Sequence, residues 1–310
     1  MREKRINYNM KTILICGASG QLGSALYEQL HNTSYNVYGT FQSPRPEYLT
    51  KKYLFQLDIR NELQVQSLLQ KIKPDIIINT AAMTHVDNCE SNQKEAYAIN
   101  VVGNRNLLKY TPFSTLFIYI STYYIFDGTK KTPQETYSEL DPVFPINYYA
   151  KTKQIAEEDT LKKENSLIIR TSKIYSMGRD QRNFVARLNS SLEQQQKTIQ
   201  ANDQFTNPIM VEMLASSIVT LITHHKTGIY HVGGKDIVSN YQFAMAFADF
   251  FHKNKNLIIP TDSSQLPQLI LRPKNCALNT EKIEKEGIQL LTLAQSFQYI
   301  QTNLNKNGNI

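Results

Sequence analysis

Short apolar runs alternate with helical patterns along the first half of the chain. The clearest runs are TILIC at 12–16 and DIIIN at 75–79, which contains three consecutive isoleucines. Further strands are predicted at 36–40, 53–57, 115–120 and 166–170, and helices at 22–30, 63–72, 94–110 and 148–163. Strands separated by helices of this length are typical of βαβ units and a parallel sheet. The pattern therefore predicts an α/β fold with a doubly wound parallel sheet.

The alternation becomes less regular after about Ser176. Helical patterns at 183–195, 211–224, 240–252 and 290–302 alternate there with short strand candidates at 228–232 and 257–259. We therefore predict a first domain at 10–175 and a smaller C-terminal α/β region at 176–310, with some segments of the second returning to the first. Residues 1–9 are charged and polar and precede the first strand.

Composition restricts the class of protein. The chain of 310 residues is 41% hydrophobic and 20% charged, as is usual for a soluble globular protein. No window approaches ~18 consecutive apolar residues, so neither a membrane span nor a membrane partner is expected. No secretory signal is evident, and three widely spaced cysteines fit a reducing compartment better than a disulfide framework or a zinc site. We therefore expect a cytoplasmic protein without a metal site.

The charge balance bears on the kind of partner. The formal net charge is +7, from 34 Lys and Arg against 27 Asp and Glu. The basic residues are dispersed, and no nucleic-acid-binding motif accompanies them. Excess positive charge also steers phosphorylated small molecules toward a protein. We therefore expect a phosphorylated ligand rather than nucleic acid, although a generally basic surface explains the charge equally well.

The turn after the first strand carries the first chemical motif. The sequence GASGQLG at 17–23 places Gly17, Gly20 and Gly23 between a strand and a helix. A dinucleotide pyrophosphate needs a tight turn, close backbone approach and free N–H groups at a helix N-terminus. Glycines alone would be weak evidence, but the flanking strand and helix agree with the motif. We therefore predict a Rossmann-type, NAD(P)-binding domain at 10–175 and a mainly substrate-binding region at 176–310.

The end of the second strand bears on the choice of cofactor. NAD-binding proteins usually carry Asp or Glu there, which accepts hydrogen bonds from the adenosine ribose. In this chain no carboxylate occurs between Tyr38 and Glu47, whereas Ser43 and Arg45 could hold a 2′-phosphate. The pattern favours NADPH. NADH stays open, because Arg45 could equally be a surface charge in a loop.

A candidate catalytic group follows the fifth strand. Tyr149 and Lys153 form a Y-x-x-x-K pair and share one face of a predicted helix. A nearby cation lowers the pKa of a phenol, and such a tyrosine can donate a proton to a carbonyl oxygen that is being reduced. Ser121 and Thr122 end the preceding strand, where a doubly wound sheet binds its ligands. Their hydroxyls could bind the same carbonyl oxygen or cap a turn.

Together these motifs resemble those of the extended short-chain dehydrogenases/reductases, and within them the dTDP-4-dehydrorhamnose reductase group. That group includes the regulatory β subunit of methionine adenosyltransferase. The similar stretches occur in the family order from about residue 11 to residue 283. They are GASGQLG (17–23), NTAAMTHVDNCE (79–90), AYAIN (96–100), ISTYYIFDGTK (120–130), PINYYAKTKQIAEE (145–158), IIRTSKIY (168–175), DQFTNPIM (203–210), GIYHVGG (228–234) and RPKNCALNTEKI (272–283).

The resemblance implies roles for individual residues. Tyr149 would donate the proton, Lys153 would bind the nicotinamide ribose and depress the pKa of the tyrosine, and Thr122 would hydrogen-bond the substrate carbonyl. Asn100 would support the active site from a neighbouring helix. The other residues implied to line the cofactor are Gly17, Ser19, Gly20, Gln21, Leu22, Gly23, Asp58, Ile59, Ala81, Ala82 and Thr84. The residues implied to face the substrate are Thr84, Thr122, Tyr123, Lys173 and Arg272.

The resemblance also implies a function. The expected reaction is NADPH-dependent reduction of the 4-keto group of a nucleotide-linked 4-keto-6-deoxy sugar, for deoxysugar or cell-surface polysaccharide biosynthesis. A homodimer is a further expectation, since the group often forms dimers. A non-catalytic, NADP-binding regulatory subunit is the alternative, which the complete set of Thr122, Tyr149 and Lys153 disfavours. A 4,6-dehydratase would need carboxylates where Tyr123 and Tyr124 stand, and a 4-epimerase usually carries an acidic residue after strand two.

Three positions depart from the pattern of that group. Tyr123 stands where the group usually has Asp, Lys173 where it has Trp, and Ser176 where it often has Gly. The first two would contact the sugar, whereas the cofactor and proton-transfer positions are unchanged. We therefore expect a working reductase whose substrate is more polar, more anionic or a different epimer.

Overall fold

The structure is a computed structural model that describes residues 10–31, 33–42, 53–177, 183–266 and 270–306. Its centre is a sheet of seven parallel strands. These are β1 (Thr12–Cys16), β2 (Asn36–Phe41), β3 (Leu54–Gln56), β4 (Ile76–Asn79), β5 (Leu116–Thr122), β6 (Ser166–Thr171) and β11 (Gly228–Val232). Their order in the sheet is β11-β6-β5-β4-β1-β2-β3. The chain adds strands outward on one side from β1 and on the other side from β4, so the strand order reverses between these two strands. The predicted doubly wound fold is therefore confirmed.

Six short strands form three two-stranded sheets beside the central sheet. The pairs are β7 (Ile174–Tyr175) with β10 (Ile209–Met210), β9 (Phe205–Thr206) with β12 (Val238–Ser239), and β8 (Thr198–Ala201) with β13 (Ile258–Thr261). Only the last of these strands overlaps a sequence prediction, at 257–259. Strands of two to four residues are too short to show a period of two, so the hydrophobic pattern could not reveal the others.

Helices connect the strands and cover both faces of the central sheet. They are α1 (Gln21–His31), α2 (Glu62–Ile72), α3 (Val86–Ser91), α4 (Gln93–Tyr97), α5 (Gly103–Tyr110), α6 (Tyr148–Leu161), α7 (Phe184–Glu193), α8 (Val211–Thr223), α9 (Asn240–Phe250), α10 (Glu281–Glu284) and α11 (Leu293–Lys306). Over the described ranges, no helix combines the length and the apolarity that crossing a bilayer requires.

One predicted helix is divided in the structure. The pattern at 94–110 becomes α4, a π-helical turn at Ala98–Val102 and α5. A π-helical turn is wider than an α-helical one and is frequent at functional sites. Here it contains Asn100, which is almost completely buried. The other predicted helices and strands are confirmed to within four residues at their ends.

Burial on both faces explains the continuous apolar strands. In β1, Ile13 and Ile15 pack on the side of α1 and α8, whereas Leu14 and Cys16 pack on the opposite side. All four side chains are fully buried. Parallel sheets covered on both faces have such strands, without the alternation of a half-exposed sheet. The carboxyl ends of β1, β4 and β5 are thereby fixed at one edge of the sheet.

A buried polar cluster lies between β6, β11 and the loop before α6. Arg170 Nη2 donates to Glu157 Oε1 at 2.5 Å, and the Arg170 guanidinium lies 5.5 Å from the ring centroid of Phe126. His231 is fully buried beside it, with Nδ1 at 3.0 Å from the Tyr137 carbonyl oxygen. Because a carbonyl only accepts, Nδ1 is the donor and Nε2 is unprotonated. That Nε2 has no hydrogen-bond partner among the described residues.

The state of His231 predicts how stability depends on pH. Burial and the Arg170 charge lower its pKa to about 3, from an ordinary value of 6.5. Between these values only the unfolded chain binds the proton, so the free energy of unfolding falls as the pH is lowered, by up to about 1.4 kcal/mol per pH unit. Urea unfolding at pH 7, 6 and 5 checks this. His231→Asn keeps a donor for the Tyr137 oxygen and should remove the contribution of one proton from the slope of the free energy of unfolding against pH. An unchanged slope would contradict the assignment.

Candidate functional site

The turn between β1 and α1 is packed too tightly for side chains. Gly17 has φ +82°, and a Cβ there would lie 2.9 Å from the backbone nitrogen of Ala81. A Cβ on Gly23 would lie 2.2 Å from the Gly17 carbonyl oxygen. The glycines therefore let the N-terminus of α1 approach the loop after β4, and they leave backbone at the surface of the adjoining groove. This is the cradle that a dinucleotide pyrophosphate needs.

A cavity of about 200 Å³ adjoins this turn and extends toward the end of β2. The turn contributes Gly17, Ser19 and Gly20 to it. Predicted cofactor residues from other loops are Asp58, Ile59, Ala81 and Ala82; Thr40, Phe41, Gln42, Leu57, Thr80 and Ile99 are additional. The position of the cavity follows from the strand order, because the cavity opens beyond the carboxyl ends of β1 and β4, where that order reverses. Its glycine-lined wall is suited to a phosphate group.

Several predicted cofactor residues lie outside that lining. Leu22 is buried in the core beneath the turn, and Thr84 is exposed on the loop before α3. The Gln21 side chain donates from Nε2 to Ser176 Oγ at 3.0 Å, so it links α1 to the segment after β7. Ser43 and Arg45 lie outside the described residues.

Asp58 is held by a neighbouring arginine. Arg60 Nη2 donates to Asp58 Oδ2 at 2.6 Å, and this contact holds the pKa of Asp58 below its ordinary value. The Asp58 Oδ1 atom also accepts from the backbone nitrogen of Arg60 at 3.0 Å. The carboxylate is therefore charged and oriented at the rim of the cavity. No signal in the sequence distinguished Arg60 from other surface arginines.

Tyr149 and Thr122 meet at the carboxyl end of β5. Asn147 caps α6 by accepting from the Ala150 nitrogen at 2.9 Å, which places Tyr149 in the first turn of the helix. The Tyr149 side chain is 7% exposed, and its phenol lies near the Thr122 hydroxyl, which acts to lower the pKa of the phenol. The Thr122 oxygen also accepts from the Tyr124 nitrogen at 3.2 Å. Thr122 thus caps the turn, which is one of the two roles that the sequence left open, and its binding of a carbonyl oxygen stays a prediction.

The predicted effect of Lys153 on the tyrosine is wrong for the cofactor-free protein. Burial raises the pKa of Tyr149 well above its ordinary value, and the nearby Thr122 hydroxyl opposes this only in part. Lys153 lies 4.2 Å from the ring centroid of Tyr119, and burial lowers the pKa of Lys153 itself to about 7. The amine is therefore only partly charged at neutral pH. Tyr149 accordingly keeps its proton in this state.

Asn100 fixes the loop beside these residues. Its Oδ1 accepts from the Met83 nitrogen at 2.8 Å, and its Nδ2 donates to the Met83 oxygen at 3.0 Å. The same Nδ2 donates to Thr152 Oγ1 in α6 at 2.9 Å. The π-helical turn thus joins the loop after β4 to the helix that carries Tyr149. These contacts make Asn100 a positioning residue rather than a group directed at the cofactor cavity.

A larger cavity of about 440 Å³ lies on the other side of Tyr124. The Tyr124 ring, which lines this cavity, is 5.8 Å from the ring of Tyr149, whereas neither Tyr149 nor Thr122 is among the described residues that line it. Four residues highlighted by the sequence line it: Tyr123, Tyr124, Lys173 and Arg272. Residues that the sequence analysis did not assign include Phe184, Arg187, Gln204 and Asn240. Gln204 stands in the similar stretch at 203–210, which was the available signal.

Arg272 reaches the cavity from the C-terminal part of the chain. Its Nη2 donates to Asp87 Oδ2 at 2.9 Å, which anchors the side chain to α3. Lys173 Nζ donates to Asn240 Oδ1 and lies 4.6 Å from the ring centroid of Phe184. Tyr123 packs against Tyr124 with ring centroids 4.6 Å apart. Two of the positions that depart from the group's pattern, 123 and 173, therefore share one cavity.

A family model matches nearly the whole chain. Residues 10–304 match the model described as RmlD substrate binding domain. The chain is 33% identical to the spore coat polysaccharide biosynthesis protein SpsK of Bacillus subtilis, over 90% of this chain and 93% of that protein. It is 32% identical to a dTDP-4-dehydrorhamnose reductase of Aggregatibacter actinomycetemcomitans, over 90% and 95%. It is 30% identical to methionine adenosyltransferase 2 subunit beta of Xenopus laevis, over 89% and 82%.

A solved structure has the same architecture. It is a dTDP-4-dehydrorhamnose reductase from Bacillus anthracis in complex with NADP. The two chains superimpose with a TM-score of 0.84 and share 28% sequence identity, over 95% of this chain and 99% of that one. The similarity between the two structures covers 95% of this chain, which includes the sheet, the glycine turn and the helix that carries Tyr149.

Proposed function

The chain belongs to the RmlD substrate binding domain family, and from this membership we propose that it reduces the 4-keto group of a nucleotide-linked 4-keto-6-deoxy sugar with NADPH. The observation that carries the proposal is the position of Tyr149 beside Thr122 at the carboxyl end of β5. The Tyr149 ring contacts that of Tyr124, which lines a cavity large enough for part of a nucleotide sugar. The names of the two reductase relatives support the substrate class.

The residues of this chain account for binding and proton transfer. The Thr122 and Tyr149 hydroxyls would both donate to the carbonyl oxygen, which orients the carbonyl and polarises it. When bound, NADPH supplies the reducing equivalent for the carbonyl carbon. Tyr149 then gives its proton to the oxygen as general acid. At neutral pH the phenol carries the proton that is to be given. A charged Lys153 at the bound cofactor would lower the pKa of the phenol and make it a stronger acid.

The walls of the smaller cavity would hold the cofactor. The backbone of Gly17, Ser19 and Gly20 would bind the pyrophosphate at the N-terminus of α1. Asp58 and Ile59 would flank the adenine, and Ala81 and Ala82 would line the ribose and nicotinamide. Lys153 would turn from the Tyr119 ring to the nicotinamide ribose. A ribose hydroxyl there accepts a hydrogen bond from the ammonium, which favours its charged form.

The preference for NADPH over NADH is testable at Arg45. We expect Arg45→Ala to raise the NADPH dissociation constant about tenfold, since a charge-assisted bond to the 2′-phosphate would be lost, and to leave NADH binding unchanged. Fluorescence titration of both cofactors measures this. Lys94→Ala, which removes an exposed charge elsewhere, is the matched control. Equal affinity of the native protein for the two cofactors, unaffected by Arg45→Ala, would contradict the preference.

One assay tests the proposed activity. Purified protein is mixed with NADPH and thymidine, uridine or guanosine diphosphate 4-keto-6-deoxy sugars, and absorbance of the reduced cofactor is followed at 340 nm. We expect consumption with at least one of these ketones. NADPH binding without consumption of any of them would favour a non-catalytic regulatory subunit, the role suggested by the similarity to methionine adenosyltransferase 2 subunit beta.

A further inference from the structure

Several of the side chains that line the 440 Å³ cavity are cationic. Lys173, Arg187 and Arg272 bring three cationic side chains to its wall. None of the described residues that line it is an aspartate or a glutamate. The carboxylate that pairs with Arg272, Asp87, stands outside the lining. The wall is therefore positive where an occupant would contact it.

A chain of side-chain amides fixes the direction of these donors. The Lys173 ammonium can only donate, so Asn240 must turn its Oδ1 toward it. The Asn240 Nδ2 then points the other way and donates to Gln204 Oε1 at 3.1 Å. The Gln204 Nε2 group is left over, and it is buried without a partner in the described part of the chain. The Lys173 ammonium thus sets the orientation of both amides and leaves Gln204 Nε2 as the unpaired donor.

A second donor at the same wall is also unpaired. Arg272 Nε is buried and has no acceptor among the described residues, although its Nη2 is held by Asp87. Buried donors without acceptors are unfavourable by about 1–3 kcal/mol each, and native structures have few of them. Gln204, which is 8% exposed, cannot satisfy its amide from bulk water. Neither nitrogen is accessible to solvent in this structure, so an occupant of the cavity would pair with them only after the neighbouring side chains moved.

From this pattern we propose that Lys173, aligned by Asn240 and Gln204, determines specificity for a substrate that presents an anionic oxygen group to this wall. The proposal rests on the proposed function only in taking the occupant to be a nucleotide sugar. The anionic oxygens can come from the diphosphate or from a carboxylate on the sugar. Both groups offer hydrogen-bond acceptors and no donors. They therefore complement a wall whose charged side chains, Lys173 and Arg272, can only donate.

The ionisation of Lys173 agrees with such an occupant. Burial lowers the pKa of Lys173 to about 7, and the neighbouring charges of Arg272 and Arg187 act in the same direction. A negative group against the ammonium would oppose both effects and keep it charged. The lysine would therefore gain its full charge as the anionic group binds.

Calorimetric titrations of the protein with bound NADP⁺ test the proposal without requiring turnover. For the thymidine, uridine and guanosine series, the probes are the nucleoside, its diphosphate, and the glucose and glucuronate esters of that diphosphate. If the diphosphate is the source, Lys173→Met weakens binding of the diphosphate at least tenfold and leaves nucleoside binding unchanged. If a carboxylate is the source, it weakens only the glucuronate ester at least tenfold.

A second variant keeps the size of the side chain. Gln204→Glu replaces the unpaired donor with an acceptor and should weaken the same anionic probe at least tenfold, with nucleoside binding unchanged. Lys285→Met, which removes an exposed charge directly after α10, is the control and should change no affinity. Equal weakening of charged and uncharged probes would indicate a merely structural role. Native affinity in both Lys173→Met and Gln204→Glu, or no binding of any anionic probe, would overturn the proposal.

Discussion

Replacement of Tyr149 by phenylalanine is expected to lower kcat about 10³-fold, because a positioned general acid contributes ~10²–10⁴ to the rate. The variant loses the proton donor, whereas the ring remains packed against Tyr124. NADPH affinity should change less than twofold, since Tyr149 is not among the described residues that line the proposed cofactor cavity. Steady-state kinetics with the best ketone of the panel, together with a cofactor titration, measure both quantities.

The adjacent tyrosine provides the control for this experiment. Tyr148 lies one residue earlier in α6 and is half-buried, so Tyr148→Phe makes the same chemical change in the same helical turn. It should retain at least half of the native kcat. If Tyr149→Phe kept a rate within tenfold of the native enzyme, the proton would come from another group and the assignment of Tyr149 would be wrong.

Replacement of Gly23 by alanine is expected to be the most damaging change in the cofactor cradle. Its Cβ would lie 2.2 Å from the Gly17 oxygen and 2.8 Å from the Ala18 Cα, both backbone atoms that cannot rotate away. The turn must open, which should lower the free energy of unfolding by about 3 kcal/mol, as overpacking does. NADPH affinity should fall at least 100-fold. Urea unfolding and fluorescence titration measure the two effects.

Gly20→Ala separates folding from binding in the same turn. The nearest atom to its added Cβ is the Gly17 oxygen at 3.3 Å, so the cofactor-free fold should tolerate it within about 1 kcal/mol. Gly20 lines the cofactor cavity, however, and a methyl group there would occupy the space of the pyrophosphate. We expect at least a tenfold rise in the NADPH dissociation constant. Unchanged NADPH affinity in Gly20→Ala would show that this turn does not hold the cofactor.

The regular part of the fold was predictable because its signals are local. The apolar run of β4 and the glycine turn before α1 each indicate their structure within about ten residues. The division of the helix at 94–110 was not predictable in this way. Asn100 occupies a π-helical turn because it bonds to Met83 and Thr152, and these partners are 17 and 52 residues away. Such contacts leave no periodic trace in the chain.

The sequence predicted which side chains share a helical face at the candidate site, but not their electrostatics. Spacing brought Tyr149 and Lys153 to one helical face, as expected. Spacing could not show that burial would raise the pKa of the phenol and lower that of the amine, because burial depends on the surrounding elements. The hydrogen bond between Lys173 and Asn240 was not predictable either, because 67 residues separate the two in the sequence.

Transfer of deuterium from the cofactor tests the central claim most directly. The protein is incubated with NADPH deuterated at C4 of the nicotinamide and with each 4-keto-6-deoxy sugar nucleotide, and the products are examined by mass spectrometry and NMR. The account predicts one product that carries a single deuterium at sugar C4 next to a new hydroxyl. Deuterium that stays on a cofactor shown to be bound, with every ketone recovered unchanged, would contradict it.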